Sequence, residues 1–305
     1  MTSSEHDPEQ HDRLTPQTLD AVIQAVGRHL DLDVRDATLI KFTNNAVFRL
    51  AKERIVLRIA GSQAMRSRAP KIVRVAQWLE ERHQPAVRLL DGIQQPITAN
   101  GHLVTAWHAV VETGVRPSGH DLAATIRMFE ALPAPPFELP TWNPFIEIRQ
   151  RIHDADGLTT DELAFLEQLA DSAERDLGNV DFVLPAGVIH GDIFSGNILM
   201  SPSGPIICDF DSTAIGPREW DLTPVAVGKL RFDYPGDAHD VLAADYGFDI
   251  LRWDGFPVLR QIRELKLITS VLPILNTNLR IREQWRLRFD SIRSGNTAAK
   301  WTTYS

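Results

Sequence analysis

The feature that most constrains the fold of this chain is a change of hydrophobic pattern near residues 112–118. Before this point, apolar residues occur in short β-branched runs separated by polar turns, and after it they recur at helical spacing. Three runs within residues 36–60 predict antiparallel strands, and Asn100-Gly101 between two later runs is a strong signal for a two-residue hairpin turn. The pattern therefore predicts an α+β fold with a β-rich first part and a mainly helical second part.

One helix is predicted before the three strands and another after them. The first covers Pro16–Leu30, with Thr15 as its N-cap residue and proline in its first turn. Residues 1–14 show no such pattern, and we expect them to form a mobile tail. We predict that residues 15–112 form an N-terminal lobe, and that residues 113–305 form a helical C-terminal lobe with a small β-ribbon.

Composition excludes several classes of protein. The net charge of -8 disfavours a nucleic-acid binder, because phosphate neutralisation requires a basic surface. The N-terminus lacks a cationic start and an apolar core, and no apolar run is long enough to cross a bilayer. The single cysteine, Cys208, lies in the apolar run PIICDF, which favours a buried and inert thiol. We therefore expect a cytoplasmic protein with neither a nucleic-acid nor a membrane partner.

The stretch VIHGDIFSGNILM, residues 188–200, carries polar residues at fixed offsets in an apolar frame. Asp192 follows His190 by two positions and precedes Asn197 by five, and Asp209 comes twelve residues after Asn197. These offsets match the phosphoryl-transfer pattern H-x-D-x-x-x-x-N followed by a metal-binding aspartate. In this pattern Asp192 accepts a hydrogen bond from an attacking hydroxyl, while Asn197 and Asp209 are oxygen ligands of Mg²⁺. The alternative is a loop in which these residues only cap turns.

Together with the later stretch IICDFDSTAIGPREWDL, this segment resembles the aminoglycoside phosphotransferase and choline kinase group of small-molecule kinases. The resemblance implies a protein-kinase-like bilobal fold and an enzyme that transfers the γ-phosphoryl group of ATP to a hydroxyl of a small molecule. It implies that Asp192 is the catalytic base and that Asn197 and Asp209 bind magnesium. It also implies that LVTAWHAV is the interlobe hinge, whose backbone meets adenine near Trp107 and His108.

The cation that binds the nucleotide phosphates departs from the family pattern. The third predicted strand offers Arg58 where many relatives carry a lysine, on the strand face opposite its apolar neighbours. Arginine keeps its charge and binds two phosphate oxygens, but a solvated surface arginine is the alternative. Kinases orient this cation with a glutamate on the following helix, yet residues 60–79 contain no carboxylate. Either Glu80 or Glu81 reaches back, or phosphate alone holds Arg58.

Three further positions have two interpretations each. The turn KFTNNAVF has no glycine, so it is not a Gly-rich phosphate loop. Thr43 and Asn45 are candidate phosphate contacts there, or else the turn is an ordinary Asn-rich hairpin turn. Asp211 is either a second metal ligand or a turn cap, and Asp221 either caps a helix or ties down the loop that carries Asp192.

The sequence constrains the acceptor least. We predict an antibiotic such as an aminoglycoside or another natural product, with antibiotic resistance as the consequence. A metabolic kinase for a sugar, nucleoside or amino alcohol and a non-catalytic nucleotide-binding module are the alternatives. A protein kinase is disfavoured, because the ten residues between Asp209 and Trp220 leave no room for an activation segment. Five acidic residues either recognise amino groups of the acceptor or are solvated surface: Glu219, Asp221, Asp240, Asp245 and Glu264.

Overall fold

The computed structural model describes residues 14–42, 45–232, 234, 236–276 and 279–304. The contacts among these residues divide the chain into two compact units. The first unit contains the described residues up to Gly114 together with Leu199–Asp211, and the second contains those of Val115–Ile198 and Ser212–Ser305. The tail that the sequence predicts, residues 1–14, lies outside the described residues except for Leu14.

The described elements alternate between strands and helices in the first unit and are mainly helical in the second. The strands are β1 (Ala37–Phe42), β2 (Asn45–Leu50), β3 (Ile55–Ala60), β4 (Ile97–Ala99), β5 (His102–His108), β6 (Gly187–Ile189), β7 (Ile198–Ser201), β8 (Gly204–Ile207) and β9 (Ala214–Gly216). The helices are α1 (Pro16–Leu30), α2 (Gln63–Glu81), α3 (Gly119–Glu130), α4 (Pro144–His153), α5 (Thr160–Leu177), α6 (Glu219–Arg231), α7 (Ala238–Tyr246), α8 (Phe256–Thr269) and α9 (Leu279–Arg293).

A five-stranded antiparallel sheet with the order β1-β2-β3-β5-β4 organises the first unit. The strand β3 is central, and its register places Arg58 between Val47 on β2 and Thr105 on β5. Leu57 and Ile59, on either side of Arg58, are fully buried. The predicted alternation along this strand is therefore confirmed: the apolar neighbours pack in the core and Arg58 points to the opposite face.

The helix α1 begins and ends where the sequence predicts. The Thr15 side chain accepts a hydrogen bond from the Thr18 N–H at 3.1 Å, as expected of an N-cap residue. Helix α2 follows the three strands, as predicted, and begins at Gln63, because Ser62 caps it by accepting from the Met65 N–H. The core between α1 and the sheet is formed by Leu19, Val22, Ile23, Val26, Phe48, Leu50, Leu57, Ile59 and Val104.

The predicted turn at Asn100-Gly101 joins β4 to β5, with both residues in the left-handed region at φ 47° and 80°. The apolar run AVRLLDG over residues 86–92 predicts a further strand, and this prediction is wrong, because the segment forms only isolated bridges. The reason is that the backbone hydrogen bonds of this segment are divided between two partners. The Val87 N–H donates to the Ile207 carbonyl, whereas the Leu90 N–H donates to the Ala106 carbonyl and the Arg88 carbonyl accepts from the His108 N–H, so each partner forms one bridge and not a ladder.

The hairpin of β7 and β8 groups with the first unit through its backbone. The Val87 N–H donates to the Ile207 carbonyl at 3.0 Å, and the Thr113 N–H donates to the Met200 carbonyl at 2.8 Å. These bonds attach the segment that leads into Asp209 to the unit that contains Arg58.

Helices pack around α8 in the second unit, and β6 pairs with β9 in a two-stranded antiparallel ribbon. The side of α8 formed by Leu259, Ile262, Leu265 and Ile268 is fully buried against α4, α5 and α6. None of the helices in the described part of the chain combines the length and the apolar character that a membrane span requires.

Candidate active site

The residues HGDIFSGN form a tight loop after β6 in the second unit, ending in a 3₁₀ turn over Ser195–Asn197. Asn197 is buried, and its Nδ2 atom donates to the Asp192 carbonyl at 2.9 Å and lies 3.4 Å from Asp192 Oδ2. Two of the predicted site residues are therefore brought together by the loop itself. The five-residue spacing is therefore the length of loop that lets the Asn197 amide fold back and bond to Asp192.

The first turn of α6 anchors this loop. Asp221 accepts from the His190 N–H at 2.8 Å and from the Gly191 N–H at 2.7 Å, and Trp220 Nε1 donates to the Gly191 carbonyl at 2.8 Å. Of the two predicted roles of Asp221, the structure shows the one that ties down the loop. Burial raises the pKa of the Asp221 carboxyl to about 7, although the two backbone N–H groups act to lower that pKa.

Gly191 is required by the shape of this loop. Its φ of 85° lies in the left-handed region, where side chains are disfavoured. A Cβ atom at this position would lie 2.3 Å from the carbonyl oxygen of Ser212, which is too close for any real contact. Glycine at this position, immediately before Asp192, therefore lets the backbone pass directly against the backbone of Ser212.

His190 has a structural role in this loop. Its ring is fully buried and packs edge-on against Phe129, with 5.4 Å between the ring centroids. The Asp192 N–H donates to His190 Nδ1 at 3.3 Å. The imidazole therefore supports the backbone of Asp192 from inside the unit.

Arg263 on α8 is a site residue that the sequence did not indicate. Its Nη1 atom donates to Asp192 Oδ1 at 2.5 Å. Burial alone would raise the pKa of the Asp192 carboxyl, but Arg263, Lys266 and His190 together hold that pKa below its ordinary value. The feature of the sequence that could have drawn attention to it is the placement of two cations, Arg263 and Lys266, beside the apolar positions of a helix whose face is buried.

Arg58 meets two carboxylates of the first unit. It donates to Asp211 Oδ2 in a short contact, and its Nη2 atom lies 3.3 Å from Asp209 Oδ1. Neither glutamate late in α2 takes this place, since Glu80 instead lies 3.9 Å from Arg88. From α2 it is Lys71 that approaches, through a hydrogen bond of 2.5 Å to the Asp211 carbonyl. The absent helix glutamate is therefore replaced by the carboxylates that follow β8.

These two carboxylates have the chemistry of a divalent-cation site. Burial, and after it the neighbouring Asp211, raises the pKa of Asp209, whereas Arg58 lowers the pKa of Asp211. Within the described part of the chain, Asp209 Oδ1 and Asp211 Oδ1 are buried and accept no hydrogen bond. Hard cations such as Mg²⁺ take such oxygens as ligands, so the residues fit this ion. No three His, Cys, Asp or Glu side chains among the described residues are grouped to hold a metal alone, so phosphate and water oxygens would complete its shell.

The residues predicted to contact the nucleotide have different surroundings. The Asn45 side chain lies beside Arg58 and, with its oxygen turned toward the guanidinium, accepts from Nη2 at 2.6 Å. The indole of Trp107 is buried, and its Nε1 atom donates to Thr105 Oγ1 at 2.8 Å. His108 is exposed, with Nε2 3.0 Å from an Asp91 oxygen. Thr43 lies outside the described residues.

All five acidic residues considered for recognising amino groups have partners inside the second unit. Glu219 accepts from two backbone N–H groups and Asp221 anchors the loop. The remaining pairs are Asp240 with Lys229, Asp245 with His120, and Glu264 with both Arg231 and Arg260. The buried carboxylates Glu219, Asp221 and Glu264 support the fold of the unit, whereas Asp240 and Asp245 form exposed surface pairs, so the structure gives none of the five a specific role toward an amine.

The thiol of Cys208 beside Asp209 is half-buried, where the sequence predicts a buried and inert thiol. Burial, with a contribution from the Asp209 charge, raises the pKa of the thiol to about 12. Reactivity of cysteine requires the thiolate, which is scarce at neutral pH under these conditions.

The sequence matches the phosphotransferase enzyme family over residues 36–261. No curated protein matches the chain. Among solved structures, an amicoumacin kinase in complex with AMP-PNP, Ca²⁺ and Ami superposes with a TM-score of 0.67 at 12% identity, covering 94% of this chain and 98% of that one. A choline kinase from Streptococcus pneumoniae superposes with a TM-score of 0.64 at 10% identity, covering 90% and 98%.

A third solved structure is a spectinomycin phosphotransferase in complex with ADP and spectinomycin, with a TM-score of 0.60 at 15% identity and coverage of 91% and 94%. At such low identities these likenesses establish the fold alone. They confirm the predicted protein-kinase-like α+β fold.

Proposed function

The chain belongs to the phosphotransferase enzyme family, and on this premise we propose that it transfers the γ-phosphoryl group of ATP to a hydroxyl of a small molecule. The observation that carries the proposal is the loop geometry around Asp192. Asn197 closes the loop onto Asp192, and Asp221 fixes the two residues before it. This is the arrangement expected of a carboxylate that must hold one position during phosphoryl transfer.

Asp192 is the proposed catalytic base. Its lowered pKa keeps the carboxylate ionised at neutral pH, so that it can accept a hydrogen bond from the acceptor hydroxyl. The side chain is buried to about three quarters, with 26% of its surface exposed. Orientation of the hydroxyl by a fixed carboxylate is one part of what the protein would contribute, because positioning together with charge stabilisation supplies most of the rate of phosphoryl transfer.

Asn197 and Asp209 are the proposed ligands of Mg²⁺. When bound, the ion would neutralise charge on the phosphates of ATP. The buried Asp209 oxygen without a hydrogen-bond donor, among the described residues, supports its part of this assignment. Asp211 shares the environment of Asp209 and is a candidate for a further ligand.

Arg58 is the proposed contact for the α- and β-phosphates, with Thr43 and Asn45 from the turn before β2. Its central position on β3 and its side-chain exposure of 15% support a functional rather than a solvated surface role. Backbone groups near Trp107 and His108 at the end of β5 are proposed to meet adenine. The buried indole limits this contact to the backbone and to the exposed His108 ring.

An antibiotic or another natural product is the proposed acceptor, with a metabolic sugar, nucleoside or amino alcohol as the second candidate. The structural partners of the five acidic residues give no support to an aminoglycoside in particular. Protection of bacterial cells that express the chain, tested against antibiotics bearing free hydroxyls, separates the antibiotic acceptor from the metabolic one.

The proposal is tested by ADP release from Mg-ATP across a panel of hydroxyl compounds, with Asp192→Asn beside the wild type. We expect turnover to fall by about 10²-fold or more in the variant, because proton transfer and orientation are lost, while ATP binding is retained. Asp240→Asn, which alters an exposed carboxylate paired with Lys229, serves as the control and keeps full activity. Undiminished turnover in Asp192→Asn would refute the assignment, and ATP binding without turnover on the whole panel favours a non-catalytic module.

A further inference from the structure

The proposed base Asp192 is paired with a buried guanidinium. Arg263 has only 8% of its side-chain surface exposed, and its Nη1 atom donates to Asp192 Oδ1. Arg263 forms no other ion pair with the described residues. A guanidinium has five N–H donors, and the pair with Asp192 uses one of its two terminal nitrogens. Most of the donor capacity of Arg263 is therefore not used by this ion pair.

A second cation lies one helical turn further along α8. Lys266 Nζ lies 3.2 Å from Ser212 Oγ and 3.7 Å from Glu147 Oε2. The charge of Glu147 is shared, since Arg151 also contacts it at 2.7 Å. Burial lowers the pKa of Lys266, and the charges of Glu147 and Asp192 oppose that effect.

Among the described residues of the second unit, the charge balance around Asp192 is positive. Three cations, Arg151, Lys266 and Arg263, share two carboxylates, Glu147 and Asp192. A nearby third carboxyl, that of Asp221, accepts from backbone N–H groups, and its negative charge is disfavoured by burial. An ammonium group brought to Asp192 would therefore meet a guanidinium and not a cluster of acids.

Resting on the phosphotransferase function proposed above, we infer that the acceptor carries an anionic group, a carboxylate or a phosphate, close to its reacting hydroxyl, and that Arg263 binds this group. The arginine fork matches the planar oxygens of a carboxylate and the oxygens of a phosphate, and such charged hydrogen bonds are stronger than neutral ones. Arg263 then has two functions: it orients Asp192, and it selects the acceptor by charge.

Acceptors matched in shape and different in charge test this inference. Glucuronate, glucose and glucosamine form one set, and glycerate, glycerol and serinol form a second; inorganic phosphate is added as a binding probe. ADP release and calorimetric binding are measured for the wild type, Arg263→Gln and Arg263→Lys. The matched control is Arg252→Gln, which removes a highly exposed arginine from a neighbouring segment of the same unit. ATP binding by each variant verifies that it is folded.

For the wild type we expect the anionic member of each set to bind more tightly than its neutral and cationic counterparts. Arg263→Gln should weaken anion binding by about tenfold or more and abolish the preference within a set, because a charged hydrogen bond is lost. Arg263→Lys should retain part of the preference, and Arg252→Gln all of it. A loss of packing alone would weaken the binding of all three members of a set equally and leave the ratio of their affinities unchanged. This ratio therefore distinguishes charge selection by Arg263 from structural support.

The result that overturns the inference is a preference for neutral or cationic members, or an anion preference that Arg263→Gln leaves intact. If such members are phosphorylated in an Asp192-dependent way, the phosphotransferase function stands and only the charge selection fails. If no compound is phosphorylated, the binding measurements still decide, because absence of Arg263-dependent binding of every anionic probe refutes the site.

Discussion

Arg58 and Asp211 lie 153 residues apart in the sequence and form a partly buried ion pair in the first unit. The pair explains how a chain without a carboxylate in the first part of α2 orients a cation on its central strand. It also means that the same side chain is shared between a proposed phosphate contact and a proposed metal environment.

Removal of Arg58 should be strongly destabilising. Arg58→Ala leaves the partly buried carboxylates of Asp209 and Asp211 without this cation; breaking a fully buried pair costs about 3–5 kcal/mol, and we expect a loss at the lower end of that range. Urea unfolding gives the free energy of unfolding, with Arg49→Ala on the exposed face of β2 as the control. The double variant Arg58→Ala/Asp211→Asn should recover part of the loss. A cost below about 1 kcal/mol, which is typical of a surface pair, would show that Arg58 does not hold Asp209 and Asp211 in this way.

Replacement of Gly191 by alanine should disrupt the loop that carries Asp192. The new Cβ atom would clash with the Ser212 carbonyl in addition to the strain of a positive φ, which together cost more than the roughly 1–3 kcal/mol of strain alone. Gly204→Ala is the matched control, since Gly204 has a φ of 113° but no atom within 4 Å of a Cβ position. Equal melting temperatures for the two variants would show that the contact with Ser212 is unimportant.

Asp221→Asn should reduce turnover without removing any group from the reacting atoms. An amide nitrogen cannot accept a hydrogen bond, so either the His190 or the Gly191 N–H loses its partner, at a cost of about 1–3 kcal/mol in stability. Displacement of Asp192 by as little as 1 Å lowers kcat by up to about 10²-fold. Steady-state kinetics and thermal unfolding measure the two effects, and normal kcat in a destabilised variant would separate the loop anchor from catalysis.

The stability of the protein should also depend on pH through Asp221. Its carboxyl pKa is about 7 when folded, compared with an ordinary value of 3.8. As pH rises from about 4 to about 7, the unfolded chain releases this proton while the folded chain retains it, so the contribution of Asp221 to stability falls. The wild type should therefore lose stability relative to Asp221→Asn across this range and remain level above it. Urea midpoints at several pH values measure the difference, and parallel curves would show that Asp221 is ionised in both states.

The sequence predicts the elements whose signals are local. Thr15 and the hairpin at Asn100-Gly101 act through neighbouring backbone groups, and the spacing between Asp192 and Asn197 reflects a loop that closes on itself. The fold class is predicted for the same reason, because the spacing of apolar residues within each element indicates whether it is a helix or a strand and which face it buries.

Contacts between distant segments were not predictable in this way. Arg263 reaches Asp192 across 71 positions, and nothing in the residues around either one specifies the other. The irregular segment over residues 86–92 has the composition of a strand, but its backbone hydrogen bonds are divided between Ile207 and β5, so it forms no continuous ladder. In both cases tertiary packing, and not local preference, decides the outcome.

The anchoring of the loop by α6 has a consequence for how such a chain can diversify. Trp220 and Asp221 belong to a helix that is buried along nearly its whole length. Because they bond to the two residues before Asp192, residues in the interior of the unit fix the position of Asp192. Substitutions on the exterior of the unit can therefore accumulate while the reacting carboxylate keeps its place. A substitution of Arg263 differs, because this buried guanidinium also holds Asp192, so chemistry and charge selection would have to evolve together at that position.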